Sequence, residues 1–366
     1  MKNRLTTNLQ SWFVLLVACT FGMLLASNAR AAGIIYTETA LVSDLPGALT
    51  LDPFLLNAWG IAFLPGSPLW VNANGGGTSN LYDGQGVIIG ALPRVTIPPP
   101  TGSSPGRLSA PTGIVSNFGS SFDSDLFIFD SEDGIISGWQ LSDGLNAVIR
   151  VDNSTLDNPN ANAVYKGLAI AKNSKGKLQI YATNFRQGTV DVFDASYNSV
   201  LPGKFQDKTL PAGYAPFNIA LINGQLFVTY ALQDAEKHDD VSGSGHGYIN
   251  VFTTDGVLVR RFASNGPLNS PWGITLAPKN FGSYSGKILV GNFGNGLIWA
   301  YDPTLGRAPL GQLWTHTAKS IVPLVIDGLW SLTDATGALN ATKNALYFSA
   351  GPNGESDGLF GTITAQ

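Results

Sequence analysis

One pattern returns six times along this chain: a polar or bulky residue, a glycine, then an apolar run. It reads NAWGIAF from 57, PTGIVS from 111, YKGLAIA from 165, FNIALI from 217, PWGITLA from 271 and DGLWSL from 327. With Gly60, Gly113, Gly167, Asn218, Gly273 and Gly328 taken as equivalent, the spacings are 53, 54, 51, 55 and 55 residues. Each copy leads into a second apolar run (LWVNAN, LFIFDS, LQIYATN, LFVTYA, ILVGNF, LYFSAG) and a third (NLYDG, IISGWQL, TVDVFDAS, GYINVFTTDG, GLIWAYDP, GLFGTITA). A shorter fourth run closes most units. Alternating apolar residues, β-branched and aromatic enrichment, and Gly/Asn/Asp turns mark short antiparallel strands. Four such strands every 50 residues or so is the sequence form of a propeller blade. The expected fold is therefore all-β, a six-bladed β-propeller with four-stranded blades starting near 57, 111, 165, 216, 271 and 326. The sixth unit stops at Gln366 one strand short, while IIYTETALV (34–42) has no partner in the first unit. That N-terminal strand is expected to complete the last blade, closing the ring and removing two open sheet edges.

Residues 1–31 stand outside this scheme. Lys2 and Arg4 form a basic start, Trp12 to Ala26 is almost wholly apolar, and Ala29-Arg30-Ala31 has the form of a cleavage site. The expectation is a signal peptide cut after Ala31, leaving a single propeller domain over 32–366, secreted or periplasmic. An alternative is a lipoprotein acylated at Cys19, but the apolar TFGMLLAS that follows lacks a polar tether. Cys19 is the only cysteine, so cleavage leaves neither disulfides nor cysteine-based sites. Cleavage also leaves 18 basic against 25 acidic residues, a net charge of −7. That balance excludes nucleic acid as a partner and an anionic membrane surface as a docking site. No stretch after residue 31 is apolar enough to span a bilayer. The chain carries no nucleotide, haem or flavin signal. GSSPG (102–106) fits the serine-hydrolase elbow only formally, because Pro105 has no N–H to offer an oxyanion.

In a propeller the innermost strands begin on the face where second and third strands connect, so polar residues at both places gather around one mouth. The connections carry Asn72, Asn74, Glu132, Asp133, Asn184, Arg186, Asn292 and Glu355; the inner-strand starts carry Asn57, Lys166, Asn218 and Asp327. Asn57, Asn72, Asn74, Asn184, Arg186, Asn292 and Glu355 are the expected ligand-binding set. The connection of blade 4, QDAEKHDDVSGSGHG (233–247), is the longest. It puts Asp234, Glu236, His238, Asp239, Asp240 and His246 within 13 residues of a chain only 13% charged. Such repulsion calls for a cation, and oxygen-rich clusters suit Ca²⁺ or another divalent ion. Asn218, which replaces the repeat glycine, and Asp327, together with Asp234 and Glu236, are the candidate metal ligands. His238, Asp239 and Asp240 are the candidate catalytic bases. The recurring tryptophans Trp59, Trp272, Trp299 and Trp330 are expected in the blade-packing core rather than on a sugar-stacking platform.

LVSDLPG (41–47), NAWGIAF (57–63), TYALQDAEKHDDVSGSGHGYINVF (229–252), ILVGNFGNGLIWAYDP (288–303), IDGLW (326–330) and YFSAGPNGESDGLFGTI (347–363) together resemble a family of uncharacterised secreted bacterial propeller proteins. That resemblance implies fold and export and carries no reaction. More loosely, the chain resembles the gluconolactonase and senescence-marker-protein propellers, which implies a central divalent cation held by Asn218 and Asp327. It departs from them in placing Asn57 where they place a glutamate ligand. The first functional expectation is a binding propeller for a small molecule or an extracellular protein or glycan. The alternative is a metal-dependent hydrolase of a lactone or ester.

Overall fold

The repeat period becomes a ring of six sheets in the computed structural model, which describes residues 34–154 and 162–366. The expected signal peptide and Cys19 lie outside the described residues. Ile34–Gln366 form one compact unit. Blade 1 runs outward from the axis through Ala58–Phe63, Leu69–Ala73, Thr78–Tyr82 and Arg94–Thr96. The inner strands of blades 2 to 6 are Pro111–Ser116, Tyr165–Lys172, Tyr214–Ile222, Pro271–Leu276 and Leu329–Asp334. Tyr36–Ser43 pairs antiparallel with Leu359–Ala365 from Tyr36↔Ala365 to Ser43↔Leu359, so the N-terminal strand completes blade 6 as expected. Thr50–Leu51 adds a short parallel fifth strand outside it. A small hairpin, Trp314–His316 with Ile321–Pro323, stands between blades 5 and 6 and carries His316 on the exposed surface.

The core is divided. Six hydrophobic clusters fill the six spaces between neighbouring blades: Tyr82 meets Tyr347 and Phe360 between blades 1 and 6, and Trp70 meets Phe127 and Trp139 between blades 1 and 2. The other four spaces are packed in the same way. A seventh cluster lies on the axis, where Trp59, Phe217, Trp272 and Trp330 from four blades meet. The four tryptophans pack in the core, at two kinds of place. Trp299 does pack between blades, whereas the other three close the ring's centre.

Every inner strand carries a bulge at the same place, between the residues aligned with Ala58 and Ile61 in blade 1. The bulge turns each inner strand toward the axis, and at that point the neighbouring strand comes very close. A Cβ on Gly60 would lie 2.5 Å from the Thr112 carbonyl oxygen, and one on Gly273 would lie 2.7 Å from that of Trp330. The strand register also corrects the sixth repeat. Leu329 pairs with Ala350 as Pro271 pairs with Asn292, so Ser331, not Gly328, is the counterpart of Gly273, and Trp330 is that of Trp272.

Opposite each bulge the second strand presents Asn72, Asp130, Thr183, Thr229, Gly291 or Ser349, and five of these six are polar. They satisfy backbone groups that the bulges leave out of the ladder, often across the gap to the next blade. Asn72 donates to the Thr112 and Gly113 carbonyls, Thr183 to those of Gly167 and Phe217, and Ser349 to that of Trp59. Asp130 accepts from the Gly113 amide and the Thr112 hydroxyl. Its second oxygen has no hydrogen-bond partner among the described residues, and burial pushes the carboxyl from 3.8 up to about 7.

Two outcomes test this axis. Gly60→Ala should cost about 1–3 kcal/mol by overpacking in urea unfolding, while Gly90→Ala, in open space, should stay near neutral; equal effects would remove the crowding argument. Asp130 is protonated in the fold over a range where the unfolded chain has released the proton. The stability it contributes is complete below about pH 4 and is lost as pH rises toward 7. Asp130→Asn should remove that loss, so variant and wild-type profiles diverge between pH 4 and 7 by up to roughly 1.4 kcal/mol per pH unit. Parallel profiles would show that Asp130 is ionised throughout.

Candidate functional site

The connections between second and third strands do meet the inner-strand starts on one face, and there a chain of polar side chains runs around the mouth. It begins in the long loop of blade 4, where Asp239 Oδ1 accepts from His238 Nδ1 at 2.9 Å. The same oxygen accepts from Lys166 Nζ of blade 3 at 3.1 Å, and Lys166 also donates to Glu132 Oε1 of blade 2. Glu132 Oε2 accepts from Asn74 of blade 1 at 3.0 Å. Asn74 Oδ1 accepts from Asn57 Nδ2, which also donates to Glu355 Oε2 of blade 6 at 2.7 Å. Blade 5 joins from below, its Trp272 indole donating to the Lys166 carbonyl at 2.8 Å. All six blades thus contribute to one connected arrangement.

Beneath it lies the aromatic cluster of the axis. Trp59 and Trp330 stack with ring centroids 3.5 Å apart, Phe293 stacks on the other face of Trp330 at 3.9 Å, and Trp272 meets both tryptophans edge-on. The Trp330 indole donates to Asn57 Oδ1 at 3.0 Å, tying the floor to the polar chain. Asn57 takes the left-handed conformation, φ 47°, which asparagine tolerates better than most residues. Lys166 lies 5.4 Å from the Trp59 ring centroid and is 2% exposed. The three tryptophans are likewise buried, at 4% exposure or less, so none of them offers an open face to a sugar.

Lys166 sets the electrostatics. Burial alone would lower its ammonium pKa, but Glu132 and Asp239 outweigh burial and hold it above the usual lysine range. The hydrogen bond from His238, then the charge of Lys166, holds Asp239 well below ordinary carboxylates. The same bond raises His238. Glu355 is raised because its carboxyl end is desolvated, an effect that its bond from Asn57 only partly offsets. The mouth thus combines a fixed ammonium, a fixed carboxylate, and two groups that take up protons more readily than usual.

The predicted residues divide. Asn57, Asn74, Glu355, His238 and Asp239 belong to the mouth, and Asp240 lies beside it with Ser242 donating to its Oδ2. Asn72 stitches blade 1 to blade 2. Asn184 and Asn292 are fully buried and serve turns, Asn184 bonding Asp191 and the Val164 amide, Asn292 bonding the Pro267 carbonyl and the Asn269 amide. Arg186 donates to the Asn162 carbonyl.

The four metal candidates do not form a ligand set. Asn218 spends its amide on the Trp272 carbonyl and the Ile219 amide, bridging blades 4 and 5. Asp327 is exposed, accepts from the Asn353 amide, and stands three residues before the position assigned to it, which Trp330 occupies. Asp234 accepts the His238 amide within its own loop. Glu236 is exposed at the loop tip, with no hydrogen bond or ion pair among the described residues.

The groups that do come within 4.8 Å of one another are Glu132, His238 and Asp239. The sequence places Glu132 and Lys166 at the mouth without marking either as a site residue by type or spacing alone. The one signal was Lys166 itself, a charge in the register position that other blades give to Trp, Thr or Phe.

No known family profile matches the chain. Two proteins of Acanthamoeba polyphaga mimivirus, both called uncharacterized, are 34% identical to it. One match covers 85% of this chain and 76% of the relative, the other 85% and 81%. The chain belongs to their family. These relatives are viral, and the bacterial origin expected from the sequence segments finds no support in them. Among solved structures, a protein of unknown function from Bacteroides thetaiotaomicron aligns with a TM-score of 0.53 at 10% identity, over 90% of this chain and 76% of that one. Streptogramin B lyase aligns at 0.48 and 13% identity, over 91% and 98%. A gluconolactonase of Xanthomonas campestris aligns at 0.38 and 13%, over 67% and 84%. What this chain shares with the Bacteroides protein is the fold.

Lys166→Met tests the electrostatic centre, because it leaves Glu132 facing Asp239 without their cation. We expect a loss of about 3 kcal/mol in urea unfolding, partly restored by adding Glu132→Gln. Full stability of the single variant would mean that the pairing is not needed by the fold.

Proposed function

We propose that the chain is an exported binding propeller whose polar mouth holds a small molecule or a segment of an extracellular protein or glycan. The observation that carries this reading is Lys166, buried to 2% exposure between two carboxylates from different blades. Burying an ion pair costs desolvation that hydrophobic packing would avoid. Charged groups with perturbed pKa values gathered at a cleft mark functional sites more often than structural ones. Export rests on the sequence of residues 1–31 alone.

A second reading is favoured by the closeness of Glu132, His238 and Asp239, which offer two carboxylates and an imidazole to one point. A divalent cation there would polarise a lactone or ester carbonyl, with Asp240, which is not one of the three, as base. It would also face the Lys166 ammonium, which already bonds both carboxylates. The resident cation makes metal-free binding the first reading.

Metal analysis of the purified protein, with melting before and after chelation, separates the two. The first reading expects less than one divalent ion per chain and an unchanged melting temperature. One tightly held ion whose removal lowers the melting temperature would replace it by the second. Against a panel of sugars, sugar acids and amino acids, ligands that stabilise the wild type should fail to stabilise Asp239→Asn and Glu355→Gln. If both variants respond as the wild type does, the mouth is not the binding site.

A further inference from the structure

A pocket of about 540 Å³ opens beside the mouth, between the 97–110 connection, the Glu132–Asp133 turn of blade 2, Arg186 of blade 3 and His238 of blade 4. Its acceptors and donors are unevenly occupied. Both Glu132 oxygens are engaged, by Lys166 and Asn74. Both Asp133 oxygens are engaged too, one by Arg107 at 2.6 Å and the other by the Ser109 hydroxyl and the Ala110 amide.

Among the described residues the donors are mostly unused. Arg186 gives one N–H to the Asn162 carbonyl at 3.2 Å and forms no ion pair among the described residues. Among the described residues Arg107 gives only Nη2, to Asp133. His238 is held through Nδ1 by Asp239, leaving Nε2 without a partner among the described residues. A guanidinium carries five N–H groups in a planar fork that fits an oxyanion.

From this imbalance we propose that the pocket is an anion site, binding the carboxylate or phosphate group of a small molecule between Arg107 and Arg186, with His238 as a third donor when protonated. Lys166 offsets Glu132 and Arg107 offsets Asp133, so the uncompensated positive charge offered to such a group is that of Arg186, while Arg107 contributes its remaining N–H groups. The proposal deepens the reading of the mouth by giving one end of its ligand a negative charge. A free anion tests it separately from that reading.

Isothermal titration of the full-length protein with inorganic phosphate and, separately, with glucuronate, at fixed ionic strength, provides the test. We expect saturable binding of one anion per chain. Arg186→Gln and Arg107→Gln should each weaken it by about tenfold or more, in keeping with loss of a charge-assisted pair. Lys319→Gln, which removes the same charge from the exposed hairpin beyond blade 5, should leave affinity unchanged. Circular dichroism melts establish that each variant is folded.

A preference for glucuronate over phosphate would assign the carboxylate, and the reverse the phosphate. No saturable binding of either anion, or an equal loss in Lys319→Gln, would overturn the anion site. Glu355→Gln, which leaves both arginines and the His238–Asp239 bond intact, should still bind the free anion, so failure of the mouth reading and failure of this one give different results.

Discussion

Six inner strands must share one axis, and the rest of the structure follows from how closely they can approach. The bulge common to all six turns each strand inward until little room is left between neighbours, and four of the six blades place glycine there. Asn218 and Ser331 are the two positions where a side chain replaces the glycine. Asn218 bridges the gap with a hydrogen bond to Trp272, and Ser331 points its hydroxyl to Thr333. The same bulges free backbone groups in a dry place, which explains the polar residue opposite five of them. Burying a polar group without a partner is costly, so sequence and geometry agree at this ring.

Dividing the apolar core among six clefts and an axial plug has a consequence for the mouth. No blade buries its inner edge alone, and every mouth residue stands at an edge. The chain of contacts from His238 to Glu355 therefore exists only because neighbouring blades are held in place by the clusters beneath. Trp330 ties the two levels together, stacking on Trp59 while donating to Asn57. Lys166 does the same, lying near the Trp59 ring with its ammonium among carboxylates. The charged loop of blade 4 reaches across to complete this arrangement. Only Asp239 and His238 of its charged residues enter the connected chain. Asp234 shapes the loop, and the glycines of GSGHG let it fold back, with the Gly245 amide on the Leu268 carbonyl.

The architecture was legible because it is written in periodic signals. Alternation, turn residues and a repeat near 50 residues each survive in the linear chain, and the missing last strand announced the closure that Tyr36–Ser43 provides. The sixth unit was misaligned because two Gly-Leu and Gly-Ile motifs look alike in sequence, while only strand pairing shows that Gly328 precedes the bulge. That shift moved Asp327 into a position that Trp330 holds. Asn72, Asn184 and Asn292 depart from the expected mouth set for a similar reason: an asparagine at a strand end looks the same in sequence whether it faces solvent or satisfies a buried backbone.

The sequence by itself determined the strands, their grouping by four, the ring and the face on which polar residues gather, because these depend on neighbours along the chain. Tertiary structure alone decided which of those residues touch. Lys166 meets Glu132 and Asp239 across 34 and 73 residues of sequence, and Asn57 meets Glu355 across 298. Contacts of that separation depend on the angle and spacing of whole blades. No local pattern encodes those, since they are set by how side chains fill the clefts between sheets.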